Sequence, residues 1–363
     1  MTIKGLTVQK RKDAPAWLEV FIPVAGFILA LLTGAIFLAF LGVSPFEAYR
    51  EMLISSLGDS YGISETIVKA IPLAMAGLGV MLSFKMLIWN IGAEGQIFIG
   101  SLATAAVVRY FYVDNSMIMF VLMFLAAAMA GGAWASVAGY LRARWRVNEI
   151  ITTLMMNYVA IHLVDYFVYG PWRDPGSLGF PMTAPFPDAA RLFQFSGTRV
   201  HLGIVIAVIL SLLFYWIFKY TRWGYEIRVI GENPKAADFA GMNYLKNVVL
   251  VMFLSGAIAG IAGMTEIAGL QGRLQHGFSA GYGYTAIIVA WLARLHPIAV
   301  LLVSFLMGAL LVGGDALQIV MRLPLSTTLV IQGLILFFVL GGEFFRRYTI
   351  KIITEKEPEK WRS

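Results

Sequence analysis

The residues best equipped for chemistry are polar side chains set inside apolar stretches. Asn90 and Glu94 are four residues apart, a spacing that puts both on one face of a helix, and Gln96 follows closely. Further on, Glu149, Thr153 and Asn157 recur at the same spacing, and Tyr158, His162, Asp165 and Tyr169 continue as a second polar stripe. In hydrocarbon such groups are costly and usually face a bundle interior or a water-filled cavity. The chemistry they offer is hydrogen bonding to a polar solute and, through the tyrosines, stacking on a flat ring. Asn90, Glu94, Gln96, Asn157 and Tyr158 are therefore candidates to line a pathway. Glu266, Gln271, Asp315, Gln318 and Gln332 form a weaker set. The competing structural roles are a helix cap for Asn90, a bend or ion pair for Glu94, and packing or interfacial anchoring for Tyr158.

The usual catalytic arrangements do not occur. There is no G-x-x-x-x-G-K-[ST] to cradle nucleotide phosphates and no G-x-S-x-G nucleophile elbow. His162, His201, His276 and His296 are scattered, without H-E-x-x-H or a cysteine partner, so neither a metal site nor a catalytic group is assigned. With no cysteine at all, disulfides are excluded.

The elements that must hold these residues follow from composition. Of 363 residues, 59% are apolar and 13% charged, whereas soluble domains carry about 25% charged residues. Apolar stretches run from Leu18 to Gly342 with short polar gaps, which predicts one all-α, polytopic membrane bundle. A single transmembrane domain over 18–342 is expected between cytoplasmic tails 1–17 and 343–363. The first apolar run, Leu18–Leu41, is too long for the core of a secretory signal and has no clear small-residue cleavage site. Further spans are expected near 66–84, 86–108, 116–140, 149–170, 201–219, 247–268, 283–294, 297–318 and 326–342, about ten in all. Two of them read as broken or re-entrant: 283–294 is short, and 86–108 carries Asn90, Glu94 and Gln96 among Gly92, Gly95 and Gly100. The glycines are expected chiefly to allow close helix packing. With an inner N-terminus, 20 of the 28 Lys and Arg residues fall on inner segments, which predicts that both termini are cytoplasmic.

The longest inner loop runs from Lys219 to Lys246. Within it, Asn233-Pro234 predicts the opening of a short helix, and Gly241 predicts its left-handed end. The alanine-rich piece between them suits a groove on a partner. On the outer side, Pro171 to Arg199 mixes five prolines with aromatic residues and predicts an ordered, non-helical cap.

The stretch KAADFAG at Lys235–Gly241 resembles the E-A-A…G signature with which permease subunits of ATP-binding-cassette (ABC) importers dock a coupling helix on an ATPase, although Lys235 replaces the usual acidic first residue. WNIGAEGQIFIG at Trp89–Gly100, VNEIITTLMMNYVA at Val147–Ala160 and GAIAGIAGM at Gly256–Met264 are similar to the nucleoside and simple-sugar branch of these permeases, which Bmp-type lipoproteins feed. The resemblance implies a permease in the bacterial cytoplasmic membrane that moves nucleosides inward. Its partners would be ABC ATPase subunits, a second and non-identical permease, and an extracellular substrate-binding lipoprotein. It also implies no cofactor on this chain, with ATP and Mg held by the ATPases. Gly231, Asn233, Pro234, Ala236, Ala237 and Gly241, inside a coupling loop over 220–246, would transmit ATPase movement. A simple-sugar permease for ribose or galactose, an ion-coupled secondary transporter and a membrane-embedded enzyme are the alternatives.

Overall fold

A computed structural model describes residues 2–3, 6–10 and 16–352 of the chain. Residues 1, 4–5, 11–15 and 353–363, which include much of both expected tails, lie outside the described residues. The chain divides into two compact units: one is Glu51–Val320, and the other joins Met1–Arg50 to Met321–Ser363.

The larger unit holds most of the helices. They are α3 (Ser60–Lys85), α4 (Ala93–Tyr110), α5 (Ser116–Trp145), α6 (Glu149–Tyr169), α7 (Gly203–Tyr220), α8 (Arg222–Glu232), α9 (Pro234–Phe239), α10 (Tyr244–Thr265), α11 (Tyr282–Leu292) and α12 (Pro297–Val320). α10 continues as a π-helical turn over Glu266–Gln271. Several starts are legible as caps. Asp59 accepts from Gly62 N ahead of α3, Asn115 from Met117 N and Ile118 N ahead of α5, and Asn148 from Ile150 N and Ile151 N ahead of α6.

α3 and α10 are buried over most of their length and form the centre, against which α4, α5, α11 and α12 pack. Glycines make that approach possible. A Cβ on Gly100 would come within 2.3 Å of the Gly260 backbone, and one on Gly131 within 2.4 Å of the Gly256 carbonyl. Without a hydrophobic force between helices in lipid, such close contact supplies van der Waals attraction. The packing role expected of Gly95 and Gly100 is thus what the structure shows.

The smaller unit pairs α1 (Ala16–Phe40) with α13 (Leu325–Arg347), and Gly26 fits against the Phe338 backbone. Tyr49, in α2 (Pro45–Leu57), donates to the Leu31 carbonyl at 2.7 Å. Strands β1 (Thr2–Ile3), β2 (Leu6–Lys10) and β3 (Tyr348–Ile352) form a small antiparallel sheet in the order β1-β2-β3. This sheet departs from the all-α expectation, although its strands LTVQK and YTIKI alternate apolar and polar residues in the sequence.

Each apolar stretch expected to span the membrane contains a helix, but the count of ten is approximate. Among the described residues, six helices are long and apolar enough to cross alone, α1 and α2 form a bent pair, and α11 and the apolar part of α13 are shorter. The two irregular members also differ from plain spans. Residues 86–92 are non-helical ahead of α4, with Leu87 at positive φ, and α11 has only 11 residues.

Candidate functional site

The non-helical stretch before α4 exposes backbone groups that a helix would satisfy internally, and α6 supplies their partners. Asn157 Oδ1 accepts from Gly95 N at 2.8 Å, and its Nδ2 donates to the Ile91 carbonyl at 2.9 Å. Thr153 Oγ1 accepts from Ile91 N at 3.2 Å and donates to the Glu149 carbonyl at 2.7 Å. Asn90 Oδ1 accepts from Gly92 N at 3.0 Å and from Gln96 Nε2 at 2.9 Å, while its Nδ2 donates to Ser255 Oγ at 2.9 Å. Ser255 in turn donates to the Gly79 carbonyl. The break is therefore held by protein, as irregular backbone at membrane depth requires.

Glu94 ties a second helix end to this knot. Its Oε2 accepts from Gly283 N at 2.7 Å, at the start of α11. The two backbones meet so closely that a Cβ on Gly283 would lie 2.1 Å from Glu94 N. Next to it, the Tyr284 hydroxyl accepts from Asn157 Nδ2 at 3.3 Å. Asn90, Glu94, Gln96 and Asn157 are all buried.

Tyr158 differs, being 52% exposed. α6 buries one stripe, Glu149, Thr153, Asn157, Ala160, Val164 and Val168, and leaves the rest open. On the open side lie Tyr158, His162, the partly exposed Asp165 and Tyr169. Asp165 Oδ1 pairs with His276 Nδ1 at 2.7 Å, and the His276 ring lies 5.5 Å from that of Tyr169. The structure thus separates the five candidates, four into a saturated interior and one onto an open face. Tyr284 and Gly283 escaped the sequence reading, although the Gly-Tyr-Gly-Tyr run at 281–284 was their signal.

The inner loop folds as α8 and α9. Asn233 Oδ1 accepts from Ala236 N at 3.1 Å, Pro234 occupies the first turn, and Gly241 ends the motif at φ 73°. Ala237 is buried, while Phe239 projects with 94% of its surface exposed. Gly231 packs on the Lys85 carbonyl, where a Cβ would lie at 2.7 Å, so α8 abuts the end of α3 just before the break. Trp223 Nε1 donates to Asn247 Oδ1, and Asn247 Nδ2 donates to Glu226 Oε2, which fixes α8 to the start of α10.

The Pro171–Arg199 segment is strapped to the segment after α10. Thr183 N donates to the Leu274 carbonyl, Phe186 N to the Gly272 carbonyl and His276 N to the Pro181 carbonyl. His201, in the loop before α7, is buried, and its Nδ1 accepts from Gly203 N at 3.2 Å.

The described residues thus form a polytopic helical bundle in which α8 and α9 pack at the ends of α3 and α10 and protein groups satisfy the broken segment. Residues 62–340 match the family described as the permease component of the branched-chain amino acid transport system. The glucose ABC transporter permease protein TsgB13 of Haloferax volcanii is 38% identical, over 97% of this chain and 95% of its own. The guanosine ABC transporter permease protein NupP of Bacillus subtilis is 31% identical, over 94% and 97%. A second guanosine permease of that organism, NupQ, is 24% identical over 68% and 79%. The chain belongs to this permease family, in its nucleoside and sugar ABC transporter branch.

Proposed function

We propose that this chain forms one half of an import path for nucleosides, driven by ATP that partner ATPase subunits hydrolyse. The observation that carries the reading is the open face of α6. Tyr158, His162, Asp165 and Tyr169 would be costly against lipid tails, and water or a polar neighbour removes that cost. Asn90, Glu94, Gln96 and Asn157 stand directly behind this face and shape it. A nucleoside offers hydroxyls for such residues and a flat base for the tyrosines.

ATPase movement enters through α8 and α9. Phe239 and the α9 surface dock on the ATPase, and Gly231 passes the displacement to the end of α3 and the break beyond it. The path then alternates between two packed arrangements. The 20 basic residues on inner segments support cytoplasmic termini, and the β2–β3 pairing supports only that the two terminal segments share one side. The ordered outer cap suits a substrate-binding lipoprotein. Two unlike guanosine permeases of one organism both resemble this chain, which supports a non-identical second permease. ATP and Mg belong to the ATPases, and no catalytic residue is assigned to this chain.

In liposomes carrying the whole complex, labelled nucleoside uptake is expected only with ATP inside the ATPase compartment; uptake without ATP would overturn the reading. A simple sugar is the second reading, favoured by the 38% identity to a glucose permease, and competition between unlabelled glucose and labelled nucleoside separates the two.

A further inference from the structure

We propose that the cavity between the start of α3 and the loop 197–199 is a binding site for a ring that carries neighbouring hydroxyls, such as the ribose of a nucleoside or a simple hexose. It is a different place from the α6 face. Its part in import rests on the proposed function, whereas its binding chemistry does not.

The cavity measures about 370 Å³ and is lined by Ser60, Tyr61, Ser64, Glu65, Thr198 and Arg199, with Gly197 at the turn. Arg199 Nη1 meets Glu65 Oε2 at 3.0 Å and draws the loop onto the helix. The other carboxylate oxygen, Glu65 Oε1, is buried and has no hydrogen-bond partner. Such an oxygen is costly to bury until a donor reaches it. Among the described residues, the hydroxyls of Ser60, Tyr61 and Ser64 are also without partners, and Thr198 spends only its proton, on the Phe195 carbonyl.

These groups suit hydroxyls better than a charged solute. A carboxylate only accepts, a guanidinium only donates, and a hydroxyl does both. Two neighbouring hydroxyls can therefore engage the pair together, one donating to Glu65 Oε1 and the other accepting from the half-exposed Arg199. The exposed Tyr61 ring offers an apolar surface to the carbon skeleton of the same ring.

A second ion pair continues from the cavity along α3. Lys69 follows Glu65 by four residues, on the same face and about 6 Å further along the helix. It meets Asp315 of α12 at 3.5 Å, and Gln318 Nε2 donates to Asp315 Oδ1 at 3.4 Å. The Asp315 side chain is half exposed, although α12 is long and apolar enough to cross a membrane. A carboxylate so placed calls for water or a polar guest. The cavity is thus the first of two polar rungs rather than an isolated surface pair.

The test compares a ribonucleoside with the 2′,3′-dideoxy analogue of the same base, so that contacts to the base cancel. In liposomes carrying the complete complex with ATP, the analogue is expected to show a KM about tenfold higher. E65Q is expected to raise the KM of the ribonucleoside to that of the analogue and to leave the analogue unchanged. Equal KM values in the wild type overturn the proposal. An E65Q variant that raises both alike overturns it too, because a structural role would act on both solutes.

Binding is read separately from transport. The chain contains no cysteine, so S196C gives a single thiol on this subunit, in an exposed position next to Gly197. Its labelling by a maleimide is expected to slow with the ribonucleoside present and not with the analogue. If the ribonucleoside gives no protection, the site fails, whatever drives uptake. If protection holds while uptake proceeds without ATP, the import reading fails and the site stands.

Discussion

The two sides of α6 carry similar residue types and do opposite work. Toward the bundle, Thr153 and Asn157 spend their hydrogen bonds on the broken backbone at Ile91 and Gly95. Away from it, Tyr158, His162 and Tyr169 keep most of their bonding capacity unused. A polar residue in a membrane helix can therefore be expensive to remove for either of two reasons. One is that it completes the fold of a neighbouring segment, as on the inner side; the other is that it meets a polar guest, as proposed for the outer.

The largest effect is expected on the inner side. Asn157→Leu strands the Gly95 N–H and the Ile91 carbonyl inside the bundle, at roughly 1–3 kcal/mol for each unpaired group. Loss of monodisperse protein by gel filtration in detergent is expected. Normal yield with transport alone abolished would break the comparison, since Asn157 would then act on the solute.

Gly241→Val tests the coupling loop, which lies outside both regions. A β-branched residue in the left-handed conformation costs about 1–2 kcal/mol, confined to the end of α9. ATP hydrolysis continuing while uptake falls is expected. Unchanged uptake would count against docking through this turn.

The smallest effect on stability belongs to the open side. Asp165→Asn weakens the 2.7 Å contact with His276 between partly exposed groups, worth under about 1 kcal/mol. Its melting temperature should match the wild type while nucleoside uptake drops. A large thermal shift would show that the stripe, too, is structural.

Much of the fold was legible because hydropathy and caps act locally. The apolar stretches, Asn233-Pro234 and Gly241 announced helices and ends that the structure shows. The broken character of 86–108 was legible as well, since polar residues among glycines cannot make a uniform span. The candidate pathway was only half legible. Spacing put Asn157 and Tyr158 in adjacent positions but could not say which one turned inward.

By itself, then, the sequence determined a polytopic helical membrane protein, its two irregular segments and the short helix that opens at Asn233-Pro234, because each depends on near neighbours along the chain. Only the tertiary structure decided that Asn157 bonds to Ile91 and Gly95, that Glu94 meets Gly283, and that Tyr284 meets Asn157. Those pairs join residues about 60 to 190 positions apart, and hydrogen-bond partners at that separation are chosen by how helices pack rather than by any local preference.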